Sequence, residues 1–300
     1  LDTIKTPFGE ITEGLGGSAT YFSVAASYFT KVKLVGVVGR DFPIRHVKFL
    51  KKHGIDTSGL LITKGKTFRW KGYYECDLNT AHTLSTCLNV FAGFNPELSE
   101  SQKNCDYLFL GNIDPVLQLS VLKQAWKPKL IGLDTMNFWI EGKPKELKET
   151  IRHIDILLIN EAECREFAKE KSLIKAANKI LSWGPGYLVV KRGEYGSALF
   201  GKNRIFLAPA YPLENISDPT GAGDSFAGGF MGYLASAGIT GNCSDIEKQM
   251  RCAVIFGSVV ASYNVESFSI ERLGKLTRRD IMKRFGEFKK LTHFGVVPKK

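Results

Sequence analysis

Residues 218–233 read DPTGAGDSFAGGFMGY. A Gly-Ala-Gly turn at Gly221, Ala222 and Gly223 delivers Asp224 to the first turn of a helix, whose small residues Ala227, Gly228 and Gly232 permit close packing. The three backbone N–H groups would converge at the positive end of that helix, where a phosphate is favoured. A carboxylate beside such an anion site repels the anion, so it serves binding poorly. It suits a base that takes a proton from an attacking hydroxyl, as in phosphoryl transfer. Taken alone, the four residues GAGD fit equally well a helix capped by its own acid after a tight turn.

Upstream of this stretch, short apolar runs alternate with helical patterns. The candidate strands are 33–38, 107–110, 129–134, 155–160 and 187–191. Three of these runs, LFLG, LIGLD and ILLIN, are apolar throughout and end in a small or polar residue. Buried parallel strands read this way when a site lies beyond their carboxyl ends. The expected fold is therefore α/β, with a doubly wound, mostly parallel sheet between helical layers. Segments 5–14 and 64–92 break the alternation. They are rich in Thr, Tyr, Phe and Trp, and in KTFRWKGYYE alternate side chains face opposite sides, the pattern of an exposed small sheet or lid. Residues 197–208 form a hairpin pattern around GKN, and the last third is helical.

Composition sets the class. The 300 residues are 44% hydrophobic and 24% charged, which excludes disorder, collagen and coiled coil. The longest uncharged stretch, 225–244, carries five glycines and does not resemble a membrane span. Six scattered cysteines contain no CxxC pair and fit a reducing cytoplasm. The net charge of +11 invites a nucleic-acid reading, but the last thirty residues hold ten Lys/Arg against three Asp/Glu. There Ile281, Phe285 and Leu291 alternate with basic residues, as on a closing amphipathic helix with a solvated outer face. Nucleic acid is thus an unlikely partner by charge distribution. A basic nucleic-acid-binding protein on a retired scaffold stays as the non-enzyme alternative, recognisable by affinity that falls steeply with salt.

Three partial motifs are set aside. GLLITKGKT at 59–67 has one residue too many for a P-loop and precedes a strand pattern. GDSFA at 223–227 nearly matches a hydrolase elbow around Ser225, with His293 the one later histidine, but leaves Asp224 unexplained. No GxGxxG accompanies the sheet, and the histidines have no ligand spacing.

The full string DPTGAGDSFAGGF closely resembles the signature of the ribokinase-like sugar kinases, the phosphofructokinase-B family. The likeness runs over nearly the whole chain. GLGGSATYFSVAASYF followed by VKLVGVVGRDF resembles the family's first signature, in which Gly16 and Gly17 let the sugar approach the backbone. LLINEAE resembles an Asn-x-x-Glu element, which implies that Asn160 and Glu163 order magnesium and phosphates through water. VVKRGEYGS resembles the nucleotide-side strand and turn, with Lys191, Gly193 and Gly196.

The resemblance further implies Asp224 as general base, Gly221, Ala222 and Gly223 as anion hole, and Asp2 as a carboxylate gripping substrate hydroxyls. Asp218 and Thr220 match positions that help bind a monovalent cation such as K+. DTMNFW is similar to a substrate-side or phosphate-side element, with Asp134 and Asn137, although the usual Arg after the Asn is absent. Where ribokinases have GGKGAN, this chain has Gly16-Gly17-Ser18-Ala19-Thr20-Tyr21, so Tyr21 replaces a sugar-binding Asn and ribose itself is disfavoured. The family's first strand is expected upstream of Asp2.

The expectation is an ATP- and magnesium-dependent kinase acting on a hydroxyl, most simply a primary one, of a sugar or sugar-containing small molecule. Phe68, Trp70 and Tyr74 lie on one face of the lid segment and alternate with Arg69, Lys71 and Tyr73. One face can stack on a nucleobase while Arg69 presents charge to the substrate, which makes a nucleoside kinase the alternative. The same aromatics equally suit a homodimer formed lid to lid.

Overall fold

The chain opens with an antiparallel pair, β1 (Asp2–Thr6) and β2 (Gly9–Gly14), and turns through Gly16-Gly17 into helix α1 (Ser18–Ser27). These elements belong to a computed structural model that describes residues 1–78, 80–202, 204–241 and 243–293. Gly17 stands at the head of α1 with φ +86°, a conformation that a side chain would strain. Next come β3 (Lys33–Gly39), α2 (Ile44–Lys52) and β4 (Asp56–Thr63), with β3 and β4 paired in parallel. β5 (Arg69–Tyr74) and β6 (Ala81–Cys87) return to the opening pair. β5 runs parallel to β1, with Asp2 opposite Trp70, and antiparallel to β6, so a four-stranded sheet forms in the order β2-β1-β5-β6. Its first strand begins earlier than segment 5–14 suggested, because Asp2, Ile4 and Thr6 are all buried and continue the alternation to the start of the chain.

Beyond a short helix α3 (Glu100–Lys103), strands and helices alternate as expected: β7 (Tyr107–Leu110), α4 (Pro115–Gln124), β8 (Leu130–Asp134), α5 (Asn137–Gly142), α6 (Pro144–Ile151), β9 (Ile156–Asn160), α7 (Glu161–Ala168), α8 (Leu173–Leu181) and β10 (Tyr187–Lys191). The hairpin β11 (Ser197–Gly201) and β12 (Arg204–Ala208) completes a six-stranded sheet in the order β12-β11-β10-β9-β8-β7. β7 to β10 are parallel, and β11 and β12 antiparallel. The strand at 33–38 stands outside this sheet, paired with β4 alone in a two-stranded unit.

The run ILLIN explains the layering. Leu157 and Ile159 pack into one core with Leu147, Ile151, Phe167 and Ile180, while Ile156 and Leu158 enter a second with Phe230, Leu234 and Val254. Both faces of β9 are therefore covered, which is why the strand carries no polar alternation. The second face is covered by α9 (Ala222–Ser236) and α10 (Ile246–Asn264). α9 lies close to its neighbours. A Cβ on Gly228 would come within 2.5 Å of the Phe22 carbonyl in α1, and one on Gly229 within 2.9 Å of the Phe256 carbonyl in α10.

The tail folds as α11 (Arg278–Thr292), with Ile281 and Phe288 buried and Phe285 partly so. Leu291, expected on the buried face, is 52% exposed. Arg284, expected among the solvated cations, instead lies 3.4 Å from the Tyr263 ring centroid and pairs with Glu266 at 2.7 Å. Among the described residues, no helix is long and apolar enough to cross a membrane.

Candidate active site

The parallel register brings three polar side chains to one edge of the large sheet. Lys191 sits opposite Asn160, and Asp134 opposite Leu158, at the carboxyl ends of β10, β9 and β8. Lys191 Nζ donates to Asp134 Oδ2 at 2.6 Å, and Thr135 N–H donates to Asp134 Oδ1 at 2.8 Å. Burial works against the Lys191 ammonium, but Asp134 and then Glu163 outweigh it and raise its pKa. Asn160 and Glu163 form a reciprocal cap at the head of α7. Asn160 Oδ1 accepts from Glu163 N–H at 2.8 Å and Glu163 Oε2 from Asn160 N–H at 3.0 Å. Burial pushes the Glu163 carboxyl up to about 7, against the pull of Lys191.

The Gly-Ala-Gly turn faces this edge. Gly221 caps α9 at φ +75°, and a Cβ there would sit 2.4 Å from the Tyr21 ring, so both backbone freedom and the ring's approach demand glycine. A Cβ on Gly223 would come within 3.0 Å of Lys191 Nζ. The ammonium thus stands beside Gly223 at the head of α9, while the Ala222 N–H, expected in the anion hole, is already given to the Pro219 carbonyl at 3.1 Å. Asp224 follows directly, in the first turn of α9. Burial, reinforced by Asp134, pushes its carboxyl up to about 6, while a 2.6 Å hydrogen bond from Ser18 Oγ and the charge of Lys191 hold it down. A carboxyl so placed titrates close to neutrality, as a general base should.

A second cluster lies across Asp224. Asp2 is buried, and its Oδ2 accepts from Gly17 N–H at 3.2 Å. A Cβ on Gly16 would fall 1.9 Å from that oxygen, so Gly16 is required by the acid itself. Burial raises the Asp2 pKa, with Asp218 adding to the effect. Asp218 accepts from Thr220 N–H at 2.9 Å and from Ser269 N–H at 3.1 Å. Tyr21 is 1% exposed and its hydroxyl has no hydrogen-bond partner among the described residues. It stands among Asp2, Asp218 and Asp224, and its pKa is raised by burial first and by these acids next. From β5, the Tyr74 hydroxyl meets Thr220 Oγ1 at 3.2 Å, and burial pushes its pKa up to about 12.

Asp2, Gly16, Gly17, Tyr21, Asp134, Lys191, Asp218, Thr220 and Asp224 therefore converge. Arg69 does not join them. Its guanidinium pairs with Glu13 at 2.7 Å and Asp41 at 2.8 Å, and so ties the small sheet to the loop after β3. The Asn137 side chain is exposed at the head of α5, although its backbone N–H bonds to Glu163. Gly193 and Gly196 shape the turn between β10 and β11, where a Cβ on Gly196 would strike the Ala208 carbonyl at 2.1 Å. Ser225 is fully buried within α9 and offers no exposed nucleophile. Ser18 is a site residue that sequence reasoning passed over, and Tyr74, expected as part of the stacking face of the lid, reaches Thr220 with its hydroxyl. The position of Ser18 directly after Gly16-Gly17, and the face Tyr74 shares with Trp70, were the available signals.

Among the described residues, no group of three His, Cys, Asp or Glu side chains could hold a metal ion by itself. The site instead suits an ion that arrives with phosphates and keeps most of its water, as magnesium does beside one or two carboxylates.

The chain belongs to the pfkB family carbohydrate kinases, whose profile matches residues 3–272. It is a kinase of the sugar and nucleoside branch of phosphoryl transfer. It is 31% identical to the cytidine kinase of Thermococcus kodakarensis over 241 residues, 78% of this chain and 85% of that one. The crystal structure of Methanocaldococcus jannaschii nucleoside kinase, an archaeal member of the ribokinase family, superposes with a TM-score of 0.73 at 20% identity, covering 95% of each chain. A putative ribokinase II from E. coli in complex with ATP and Mg2+ gives a TM-score of 0.74 at 16% identity over 97% of this chain and 96% of that one. The ribokinase-like α/β fold follows from these superpositions.

Proposed function

We propose that the chain transfers the γ-phosphoryl group of ATP to a primary hydroxyl on the sugar of a nucleoside, with Asp224 as general base. The observation that carries this reading is the buried Asp224 carboxyl, set between Lys191 and Gly223 at the head of α9 and the acceptor-side cluster of Asp2 and Tyr21. The acceptor hydroxyl gives its proton to Asp224 while its oxygen forms the new bond to the γ-phosphorus. The bond from that phosphorus to the bridging oxygen breaks, and ADP leaves. The head of α9 and Lys191 offset charge on the transferring group. Magnesium, when bound with ATP, neutralises phosphate charge. Glu163 would hold it through water beside Asn160, and Gly193 and Gly196 would let the nucleotide lie against the β10–β11 turn. K+ fits beside Asp218 and Thr220, where Asn264 Oδ1 is buried without a partner.

On the acceptor side, Asp2 accepts hydrogen bonds from sugar hydroxyls, and the orphaned Tyr21 hydroxyl gains a partner. The four-stranded sheet serves as a lid that keeps water out. A nucleoside is favoured over a free sugar for two reasons. One is the likeness to the Thermococcus cytidine kinase. The other is Trp70, whose ring lies over Gly72 on the face that carries Tyr74 to Thr220, where it can stack on a base. The opposite face and outer edge of the lid expose Phe8, Leu84 and Leu88, which suits a homodimer formed lid to lid. Six free thiols fit a reducing cytoplasm.

The test is ADP release from ATP and magnesium against nucleosides, free sugars and phosphosugars, with Asp224→Asn beside it. Turnover confined to nucleosides and lost in the variant is expected. Turnover confined to free sugars would overturn the substrate class, and an active variant would overturn the base.

A further inference from the structure

We propose that Ser18 is the positioning residue of the reaction: its hydroxyl fixes one oxygen of Asp224, keeps the carboxylate ionised, and leaves the other oxygen to the acceptor. The inference rests on the reading of Asp224 as base. Ser18 is the first residue of α1, one past the position at which a serine would cap the helix's own N–H groups. The cap position is Gly17, without a side-chain cap, and the Ser18 hydroxyl donates across the fold to Asp224 Oδ1 at 2.6 Å, a residue 206 positions away.

The two helices that carry this bond cannot drift apart easily. A Cβ on Gly228 would lie 2.6 Å from Ala25 Cβ, and one on Gly232 would lie 3.0 Å from Ala26 Cα, so α1 and α9 meet almost backbone to backbone. On its other side Ser18 faces Gly111, just beyond β7, where a Cβ would come within 3.2 Å of Ser18 Oγ, so the glycine leaves the hydroxyl its room. A hydroxyl held this way acts on the carboxylate in a fixed direction.

The charged groups around Asp224 show why such a bond matters. Asp134 from the end of β8 and Asp2 from β1 oppose its ionisation, as does burial. Lys191 from β10 favours it, but its shortest contact is spent on Asp134. The phenols of Tyr21 and Tyr74 lie within electrostatic reach and carry no charge near neutrality. Ser18 supplies a hydrogen bond to the charged form, which favours that form. Removing it should raise the pH at which the base becomes competent by about one unit.

Two measurements on Ser18→Ala and Ser18→Thr test this. The first is turnover against pH on the best acceptor from the panel. Ser18→Ala should move the acid limb upward by about one pH unit, lose about tenfold below the limb, recover at alkaline pH, and leave the KM for ATP nearly unchanged. Ser18→Thr, which keeps the hydroxyl, should restore the limb. The second needs no substrate. Carbon-13 titration of the Asp carboxyls, with Asp224 identified by its loss in Asp224→Asn, should report the same upward shift. A carboxyl midpoint unmoved in Ser18→Ala, or a turnover loss equal at every pH together with a lowered melting temperature, would overturn the proposal. An active Asp224→Asn would instead remove the base assignment on which it rests.

Discussion

Replacing Asp224 with Asn keeps the shape of the side chain and its hydrogen bond from Ser18 but removes the proton acceptor. Turnover is expected to fall by on the order of 10² to 10⁴, with nucleotide binding, read by calorimetry, nearly intact. The same change should stabilise the empty protein. The folded-state pKa of Asp224, about 6, lies above its ordinary value of 3.8. The stability this group contributes is therefore full below the lower value and is lost as pH rises through the higher one. Asp224→Asn is expected to stabilise the fold by about 1–3 kcal/mol at about pH 8 and hardly at all at about pH 4, checked by thermal melts of both proteins.

Asp224 and the glycines beside it were legible because GAGD carries a local rule, a tight turn feeding a helix N-terminus, whereas Asp2 and Gly16 were reached through the resemblance to the family. A glycine must stand where a Cβ would meet Tyr21 or the Asp2 carboxylate. Ser18 and Tyr74 were legible only in part, Ser18 as the residue after the Gly-Gly turn and Tyr74 as one of the lid aromatics. Their roles come from partners in distant parts of the chain, Asp224 and Thr220, which no spacing reveals. Arg69 likewise has its partners in distant parts of the chain. Its charge suggested a substrate, yet Glu13 and Asp41 already take up its guanidinium.

Among the elements, the central strands were the easiest to read, since burial on both faces leaves an unbroken apolar run. The strand at 33–38 carries the same signal but pairs elsewhere, because pairing partners are chosen by tertiary packing and not by composition. In α11, Arg284 shows the limit of reading a helix by its apolar stripe: a guanidinium over a tyrosine ring is buried like a hydrophobe. The contact of α1 with α9 depends on glycine in a way that can be tested. Gly228→Ala would force a methyl against the Phe22 carbonyl and Ala25. It is expected to destabilise the protein by about 1–3 kcal/mol, lowering the melting temperature by several degrees, even though alanine is the better helix former.

For the molecule as a whole, the lid poses a choice between two uses of its aromatic residues. Trp70 lies opposite Asp2 on the neighbouring strand and is partly buried, its indole N–H donating to Thr83 Oγ1 at 3.1 Å, whereas Leu84 and Leu88 are exposed. Trp70→Ala is accordingly expected to raise the nucleoside KM about tenfold while the mass in solution, measured by light scattering, stays that of the unaltered protein. A halved mass with an unchanged KM would assign the ring to the dimer instead. Most of the net charge of +11 comes from the last thirty residues, with ten Lys/Arg against three Asp/Glu, although Arg284 of α11 and Arg272 before it both pair with Glu266.

The parallel pairing of β1 with β5 has a kinetic consequence. No hairpin can close that pair: residues 2 and 70 meet across three strands and two helices, β2, α1, β3, α2 and β4. Contacts of such long sequence separation form slowly, after local helices and neighbouring strands. Asp2 and Tyr74 reach the site on those two strands, so a chain recovering from denaturant should regain its circular-dichroism signal first and its turnover last.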